Sequence, residues 1–246
     1  MENQPNSADE MYDLATSLSA QNREAEAEQW LRKAAAAGNT HAMVDLGARL
    51  HAQAKDDEAE QWLRRAAAAG DAMAMYNLGA SAANRGRDGE AEQWLRKAAD
   101  AGYANAMYGL SYLLYQQGKE YETEQWLRRA AFAGNTQAMY NLGALLYKQR
   151  RGGEIDEIEQ WWRKAASAGN ADAMYSLGAL LDKQGKRGEA KKWTEQWKRQ
   201  QPRKWSQPTH VEKPKLDFSE GIKLKFSVQW GWGWTYYREG GKEWNR

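Results

Sequence analysis

The chain has no cysteine among its 246 residues. This absence excludes a disulfide scaffold, a cysteine nucleophile and a zinc site built on thiolates. No apolar run approaches the roughly 20 residues that a membrane-spanning helix needs. The N-terminal segment Met1–Pro5 lacks the basic start and the apolar core of a secretory signal. We therefore expect a soluble cytoplasmic protein that makes no contact with a membrane.

Residues that carry enzyme chemistry are also scarce. His41 and His51 stand near one helix, where their rings do not share a metal ion without outside ligands, and His210 is the third histidine of the chain. No glycine-rich phosphate loop, nucleophile elbow or His-Glu-x-x-His motif is present. The sequence therefore predicts no enzyme: no catalytic residue, no metal site and no cofactor.

Charge is divided unevenly along the chain. Residues 1–181 carry 19 Lys/Arg against 25 Asp/Glu, a net charge of −6, and residues 182–246 carry 16 against 8, a net charge of +8. Two interpretations of the basic end stay open. It binds nucleic acid or an acidic partner, or it neutralises the acidic part of the same molecule.

A block of about 32 residues recurs along the chain. Gly38, Gly70, Gly102 and Gly134 are 32 residues apart, and Gly169 follows after 35. Each glycine opens the pattern Ala-Gly-x-x-x-Ala-Met, and a segment with a tryptophan and Arg/Lys-Ala-Ala follows. A fixed period of about 20 to 50 residues is typical of stacked repeat proteins, which build an extended surface rather than a catalytic pocket.

Each block is predicted to form two helices. In the third block Asp71 is placed to cap the first helix, and the second helix runs from about Asp88 to Ala99. Acids lead this second helix and bases end it, which suits the helix dipole and predicts an ion pair between Glu92 and Arg96. Gly102 then ends the helix in a left-handed conformation.

The same construction recurs around six tryptophans, which predicts six helix pairs. These tryptophans lie on the apolar stripe of each second helix, so we expect them to be buried. They are Trp30, Trp62, Trp94, Trp126, Trp161 and Trp193. Glycines also recur at one phase of the first helices, where they indicate close helix packing. They are Gly47, Gly79, Gly143 and Gly178.

The repeated residues resemble the Sel1-like repeat family, a relative of the tetratricopeptide repeats. The matching motif runs from Arg64-Arg65-Ala66-Ala67-Ala68-Ala69-Gly70 to Met75-Tyr76-Asn77-Leu78-Gly79. The resemblance covers roughly residues 8–200. It implies an all-α fold, a right-handed α-solenoid of about six helix pairs, and a bacterial source. Members of the family serve mainly as adaptors and scaffolds, so the resemblance implies a protein partner.

The resemblance also implies which residues face a partner. In such solenoids the first helices line the concave side, and the residue before the Leu-Gly pair points into the groove. At those positions this chain has Asp45, Asn77, Gly109, Asn141 and Ser176. An amide side chain offers both a donor and an acceptor, so it can hold an extended peptide backbone independently of its sequence.

Tyrosines offer a second set of candidate contacts. Tyr76, Tyr108, Tyr140 and Tyr175 recur in phase and have two interpretations, packing between stacked helices or lining of the groove. Tyr112, Tyr115 and Tyr147 break the repeat, because the third pair has Ala80 and Ala83 where the fourth has Tyr112 and Tyr115. Since aromatic residues dominate binding hot spots, we predict a local partner-binding patch in the fourth and fifth pairs.

The repeat stops after Gln201. Prolines mark residues 201–214 as a linker, and from Leu216 the apolar residues alternate with polar ones. This period of two predicts a small antiparallel β appendix over 215–246, with strands near 215–218, 222–230 and 234–238. Three fates of its aromatic face stay open. It caps the last helix pair on Trp193 and Trp197, inserts into the groove, or docks on another molecule through Trp230, Trp232 and Trp234.

The leading functional hypothesis is a non-catalytic scaffold or adaptor that binds another protein along its concave surface. One alternative is a binding module for nucleic acid or glycan that acts through the basic, tryptophan-rich C-terminal segment. Another is an inhibitor or immunity-type protein that wraps an enzyme.

Overall fold

The computed structural model describes residues 5–149 and 155–200, and the backbone of residues 238–239 and 242–243. Residues 5–149 and 155–200 contain no β-strand and form twelve consecutive α-helices. The first eleven helices have 13 residues each and the last has 14. They are α1 (Ala8–Ala20), α2 (Glu24–Ala36), α3 (Thr40–Ala52), α4 (Asp56–Ala68), α5 (Ala72–Asn84), α6 (Asp88–Asp100), α7 (Ala104–Gln116), α8 (Glu120–Phe132), α9 (Thr136–Lys148), α10 (Ile155–Ser167), α11 (Ala171–Lys183) and α12 (Arg187–Gln200).

The helices belong to two compact units. The first unit contains α1 to α6, and the second contains α8 to α12 with most of α7. Within the first unit each helix packs against the next one along the chain, and the same holds from α8 to α12 in the second. The predicted succession of twelve helices is therefore confirmed, and five of the six predicted pairs are packed first helix against second helix.

The predicted β appendix stays a prediction. The linker at 201–214 and the strands predicted near 215–218 and 222–230 lie outside the described residues. Further along, two short strands pair in antiparallel fashion, β1 (Arg238–Glu239) with β2 (Lys242–Glu243), in the register Arg238 to Glu243.

Side-chain caps and glycines set the helix boundaries. The side-chain oxygen of Asp71 accepts a hydrogen bond from the backbone N–H of Ala74 at 2.7 Å, which confirms the predicted cap. Asn39, Asn135 and Asn170 cap their helices in the same way. Gly102 has a φ of 89°, a left-handed conformation that glycine adopts without steric cost. A left-handed glycine followed by a side-chain cap thus separates one pair from the next before α3, α5, α9 and α11.

Each unit has its own apolar core, and the tryptophans contribute differently to the two. In the second unit Trp126, Trp161 and Trp162 are buried, as predicted for the first two, whereas Trp193 is only half-buried. In the first unit the tryptophans are half-buried at the edge of the core, so the prediction of full burial is wrong there. A basic side chain three residues further on covers the outer ring face, as Lys33 covers Trp30 with its ammonium nitrogen 3.8 Å from the ring centre.

Glycines at the predicted phase permit close packing between the two helices of a pair. A Cβ atom on Gly79 would lie 2.8 Å from Cγ of Leu95, and one on Gly143 would lie 2.5 Å from Nε1 of Trp162. That indole N–H donates to the carbonyl oxygen of Tyr140 at 3.1 Å, a bond that requires this close approach. The prediction of tight packing at these glycines is confirmed.

The close contact at Gly143 yields a stability prediction. We expect Gly143→Ala to lower the free energy of unfolding by about 1–3 kcal/mol, because Trp162 must shift to admit the methyl group. Gly89 lies in α6 with no foreign atom within 4 Å of a Cβ position. As the matched control, Gly89→Ala is expected to raise stability by up to about 1 kcal/mol through helix propensity. Urea denaturation measures both changes, and equal effects of the two substitutions would contradict the packing argument.

Candidate functional site

Tyrosines of one first helix form hydrogen bonds with the next first helix in the same unit. The hydroxyl of Tyr12 on α1 donates to Oδ2 of Asp45 on α3 at 2.9 Å. In the second unit the hydroxyl of Tyr108 on α7 accepts from Nδ2 of Asn141 on α9 at 3.0 Å. In each of these two bonds the donor and acceptor residues are 33 positions apart in the sequence, which is one repeat plus one residue. These bonds link consecutive helix pairs.

The positions predicted to face a groove are buried instead. Asp45 is 7% exposed, Asn77 1%, Asn141 0% and Ser176 3%. They lie between neighbouring helices because the in-phase tyrosines reach them there. Ser176 is also hydrogen-bonded to the preceding pair, through Tyr140. The expectation that these side chains point into an open groove is therefore wrong, whereas their contact with a partner is untested and stays a prediction.

Asn77 departs from this arrangement. The in-phase residue 33 positions before it is Val44, which has no hydroxyl to offer. Nδ2 and Oδ1 of Asn77 accordingly have no hydrogen-bond partner among the described residues. An unpaired buried amide costs about 1–3 kcal/mol of stability. The contact between α3 and α5 is therefore weaker than its counterpart between α7 and α9.

Burial shifts the acidity of these phenols. It raises the pKa of Tyr76 from its ordinary value near 10 to about 12, and the neighbouring Tyr103 adds to the shift. The two rings lie 5.3 Å apart between their centres. Burial, and then the carboxylate of Asp45, raise the pKa of Tyr12 far above its ordinary value. These hydroxyls remain protonated at neutral pH and serve as neutral hydrogen-bonding groups.

The tyrosines that break the repeat are half-buried, in contrast to the in-phase Tyr108. Tyr112, Tyr115 and Tyr147 lie on the first helices of the second unit, where each keeps part of its ring accessible. The hydroxyl of Tyr115 accepts from Nζ of Lys148 at 3.3 Å, and the hydroxyl of Tyr147 accepts from Nζ of Lys183 at 2.8 Å. The structure thus places the predicted aromatic residues on a surface and adds two lysines to them.

The lysines were missed by sequence reasoning, although a signal exists. Lys148 follows Tyr115 by 33 residues, the spacing of Tyr108 and Asn141. Lys183 follows Tyr147 by 36 residues, the spacing of Tyr140 and Ser176. A second set of cross-pair contacts was missed as well. On the second helices Arg64 binds Glu90 at 2.9 Å and Arg163 binds Glu189 at 2.6 Å. The predicted pair of Glu92 with Arg96 is confirmed at 2.8 Å.

Other predicted features can be placed only in part. Trp230, Trp232 and Trp234 lie outside the described residues. Within 5–149 and 155–200 no group of three or more metal-ligating side chains occurs. In the same ranges no helix has both the length and the apolar character for a membrane span.

The architecture defines the class of protein, a repeat protein built from helical hairpins, and comparisons with known proteins agree. The tetratricopeptide repeat family model matches residues 11–38 and 72–101. No curated protein matches the chain.

Solved structures of similar fold come from bacteria. The protective antigen c5321 of uropathogenic Escherichia coli strains, which displays an SLR fold, is 24% identical with a TM-score of 0.68, over 78% of this chain and 46% of that one. The chain thus spans about half the length of that antigen. A Sel1 repeat protein from Oxalobacter formigenes is 25% identical with a TM-score of 0.66, over 81% and 91%. PilF of Pseudomonas aeruginosa is 20% identical with a TM-score of 0.61, over 78% and 90%. These matches support the predicted resemblance to the Sel1-like, tetratricopeptide-related repeat family.

The unpaired amide of Asn77 gives a testable contrast with the paired amide of Asn141. We expect Asn77→Leu to raise the free energy of unfolding by about 1–2 kcal/mol, because it removes a buried polar group that has no partner. Asn141→Leu is the matched control in the same register. It should lower stability by about 1–3 kcal/mol, because the Tyr108 hydroxyl loses its donor. Thermal and urea unfolding measure both, and a loss of stability in Asn77→Leu as large as that in Asn141→Leu would refute the contrast.

The raised pKa of Tyr76 predicts a pH dependence of stability. The folded protein holds this phenolic proton more tightly than the unfolded chain, whose tyrosines titrate near pH 10. The contribution of Tyr76 is therefore complete below pH 10 and is lost as the pH rises towards about 12. Across that window the stability of the wild type should fall more steeply than that of Tyr76→Phe, by up to about 1.4 kcal/mol per pH unit. Urea titrations at a series of pH values measure the difference, and parallel curves up to pH 11.5 would contradict it.

Proposed function

We propose that the chain is a non-catalytic scaffold or adaptor that binds another protein through the first helices of its second unit. One observation carries the proposal, the presence of half-buried tyrosines with accessible rings at positions where other pairs have small or polar residues. In the right-handed solenoid predicted from the sequence, first helices line the concave surface. The proposed contact surface consists of Tyr112, Tyr115 and Tyr147.

The positions of Tyr112 and Tyr115 support a role in recognition, whereas Tyr147 also packs against the core, with its ring centre 5.8 Å from that of Trp162. The residues in register with Tyr112 are small, Thr16 in the first pair and Ala48, Ala80, Ala144 and Ala179 in the others. A side chain that every pair needs for packing would recur at this position. Since tyrosine combines a large apolar area with a hydrogen-bonding hydroxyl, it is enriched among the residues that dominate protein–protein interfaces.

The buried residues have a different part in this proposal. Asp45, Tyr108, Asn141 and Ser176 hold consecutive first helices at a fixed spacing through their hydrogen bonds. Rigid helices present surface side chains in a fixed geometry, which reduces the entropy lost on binding. Direct contact of these residues with a partner would require the helices to separate.

Capture of a partner tests the tyrosine surface. The full chain is used as bait in a native lysate, and the captured protein is then titrated against purified variants. We expect Tyr112→Ala/Tyr147→Ala to weaken binding by about 30-fold, in line with the loss of a central aromatic anchor.

Tyr121 supplies the matched control, because it is 76% exposed on α8 in the same unit but lies outside the proposed surface. Tyr121→Ala should bind as the wild type does. Undiminished affinity of the double variant would contradict the proposal.

A second candidate function rests on the net charge of +8 in residues 182–246 and on the tryptophans there. In that alternative the C-terminal segment binds nucleic acid or glycan. Binding to phosphates weakens steeply between low and moderate salt, whereas a tyrosine-lined protein surface responds weakly. A chain that ends after Gln201 should retain the partner if the tyrosine surface binds it, and should lose the partner in the alternative.

A further inference from the structure

Two lysines on the second unit are held by phenol groups instead of carboxylates. Nζ of Lys148 lies 3.3 Å from the hydroxyl oxygen of Tyr115, and Nζ of Lys183 lies 2.8 Å from that of Tyr147. Each ammonium group also approaches the ring of its tyrosine, at 5.3 Å and 5.5 Å from the ring centre. We name Tyr115, Tyr147, Lys148 and Lys183 the tyrosine–lysine face. It lies at the C-terminal ends of α7, α9 and α11.

The positive charge of this face is not neutralised within the described residues. Neither lysine forms an ion pair there, although Asp182 precedes Lys183 in the chain. Elsewhere in the same unit, by contrast, Arg163 on α10 binds two glutamates, and Lys186, just before α12, binds Glu159 at 3.0 Å. A neutral phenol oxygen orients an ammonium group but leaves its charge available to an external anion.

The face is specific to this unit. At the positions of Tyr115 and Tyr147 the first unit has His51 and Ala83, and at the positions of the lysines it has Ala52 and Asn84. Lysine near a helix C-terminus also suits the helix dipole, but that benefit requires no tyrosine on the preceding pair. The paired arrangement therefore indicates recognition rather than helix stabilisation.

We propose that the tyrosine–lysine face binds an acidic segment of a partner protein, with side-chain carboxylates on Lys148 and Lys183 and apolar atoms against the tyrosine rings. The inference rests on the proposed scaffold function and names the chemistry of its partner. The basic C-terminal segment of this chain is disfavoured as the occupant, since its net charge has the same sign as that of the face. Nucleic acid is disfavoured because two lysines neutralise few phosphates, and phosphate contacts supply most of such affinity.

The spacing of the lysines defines a suitable probe. They occupy equivalent positions one helix pair apart, so their ammonium groups are on the order of 10 Å apart. A polyproline-type segment rises about 3.1 Å per residue with three residues per turn, so acids at every third position lie on one side about 9 Å apart. A twelve-residue peptide that repeats Glu-Pro-Pro presents carboxylates at this spacing.

Fluorescence anisotropy with the labelled Glu-Pro-Pro peptide and the full chain tests the proposal. We expect Lys148→Gln/Lys183→Gln to weaken binding by about tenfold, and the peptide that repeats Gln-Pro-Pro to bind the wild type equally poorly. The control variant is Lys33→Gln/Lys97→Gln, which removes the same charge from lysines stacked on tryptophans of the first unit. It should bind as the wild type does.

Three results would overturn the proposal. The first is no binding of the Glu-Pro-Pro peptide at low salt. The second is an equal loss in both lysine variants, which indicates a response to net charge alone. The third is tighter binding of a single-stranded oligonucleotide that depends on the same two lysines, which favours nucleic acid. A captured partner that depends on Tyr112 and Tyr147 but binds the double lysine variant fully would remove the acidic-segment proposal and leave the scaffold function standing.

Discussion

Each helix pair depends on its neighbours, because a hairpin of two 13-residue helices cannot bury its apolar surface alone. Within each unit the uncovered side of one pair is closed by the next. The buried tyrosines add a directional contact to this non-specific burial. A phenol hydroxyl on one first helix bonds to the first helix of the following pair and fixes the position of that helix. Apolar packing alone determines this position less well.

Small residues make the arrangement possible. Gly79 and Gly143 bring the second helix of a pair against the first, so that Leu95 and Trp162 fill the space a side chain would occupy. Asn77 shows what happens when one component is missing. Valine at position 44 packs well but leaves the amide without a partner, and the contact is weakened at one place without loss of the fold.

Much of the fold was predictable because it depends on local signals that repeat. The cap at Asp71, the left-handed Gly102 and the close approach at Gly79 each follow from a few neighbouring residues, and repetition strengthens each signal. The burial of Asp45 and Asn141 was not predictable in the same way. A polar side chain on a first helix suits either an open groove or a buried bond, and its partner lies 33 residues earlier in the chain. The half-burial of Trp62 and Trp94 was likewise not predictable, because Trp126 occupies the same position of its helix with the same basic cover and is buried.

The first helices of the second unit combine two kinds of tyrosine with separate roles. In-phase residues such as Tyr108 face the next pair and hold the helices, whereas Tyr112 and Tyr147 keep rings accessible on the surface. The proposed recognition surface thus consists of departures from the repeat, whereas the in-phase residues belong to the repeat itself.

The central claim, that buried tyrosines couple consecutive pairs, is tested most directly by a double-mutant cycle on Tyr108 and Asn141. The cycle compares the unfolding free energies of the wild type, Tyr108→Phe, Asn141→Leu and the double variant. The account predicts a coupling energy of about 1 kcal/mol, since the first substitution already removes the bond that the second would break. Effects that add within about 0.3 kcal/mol would contradict it.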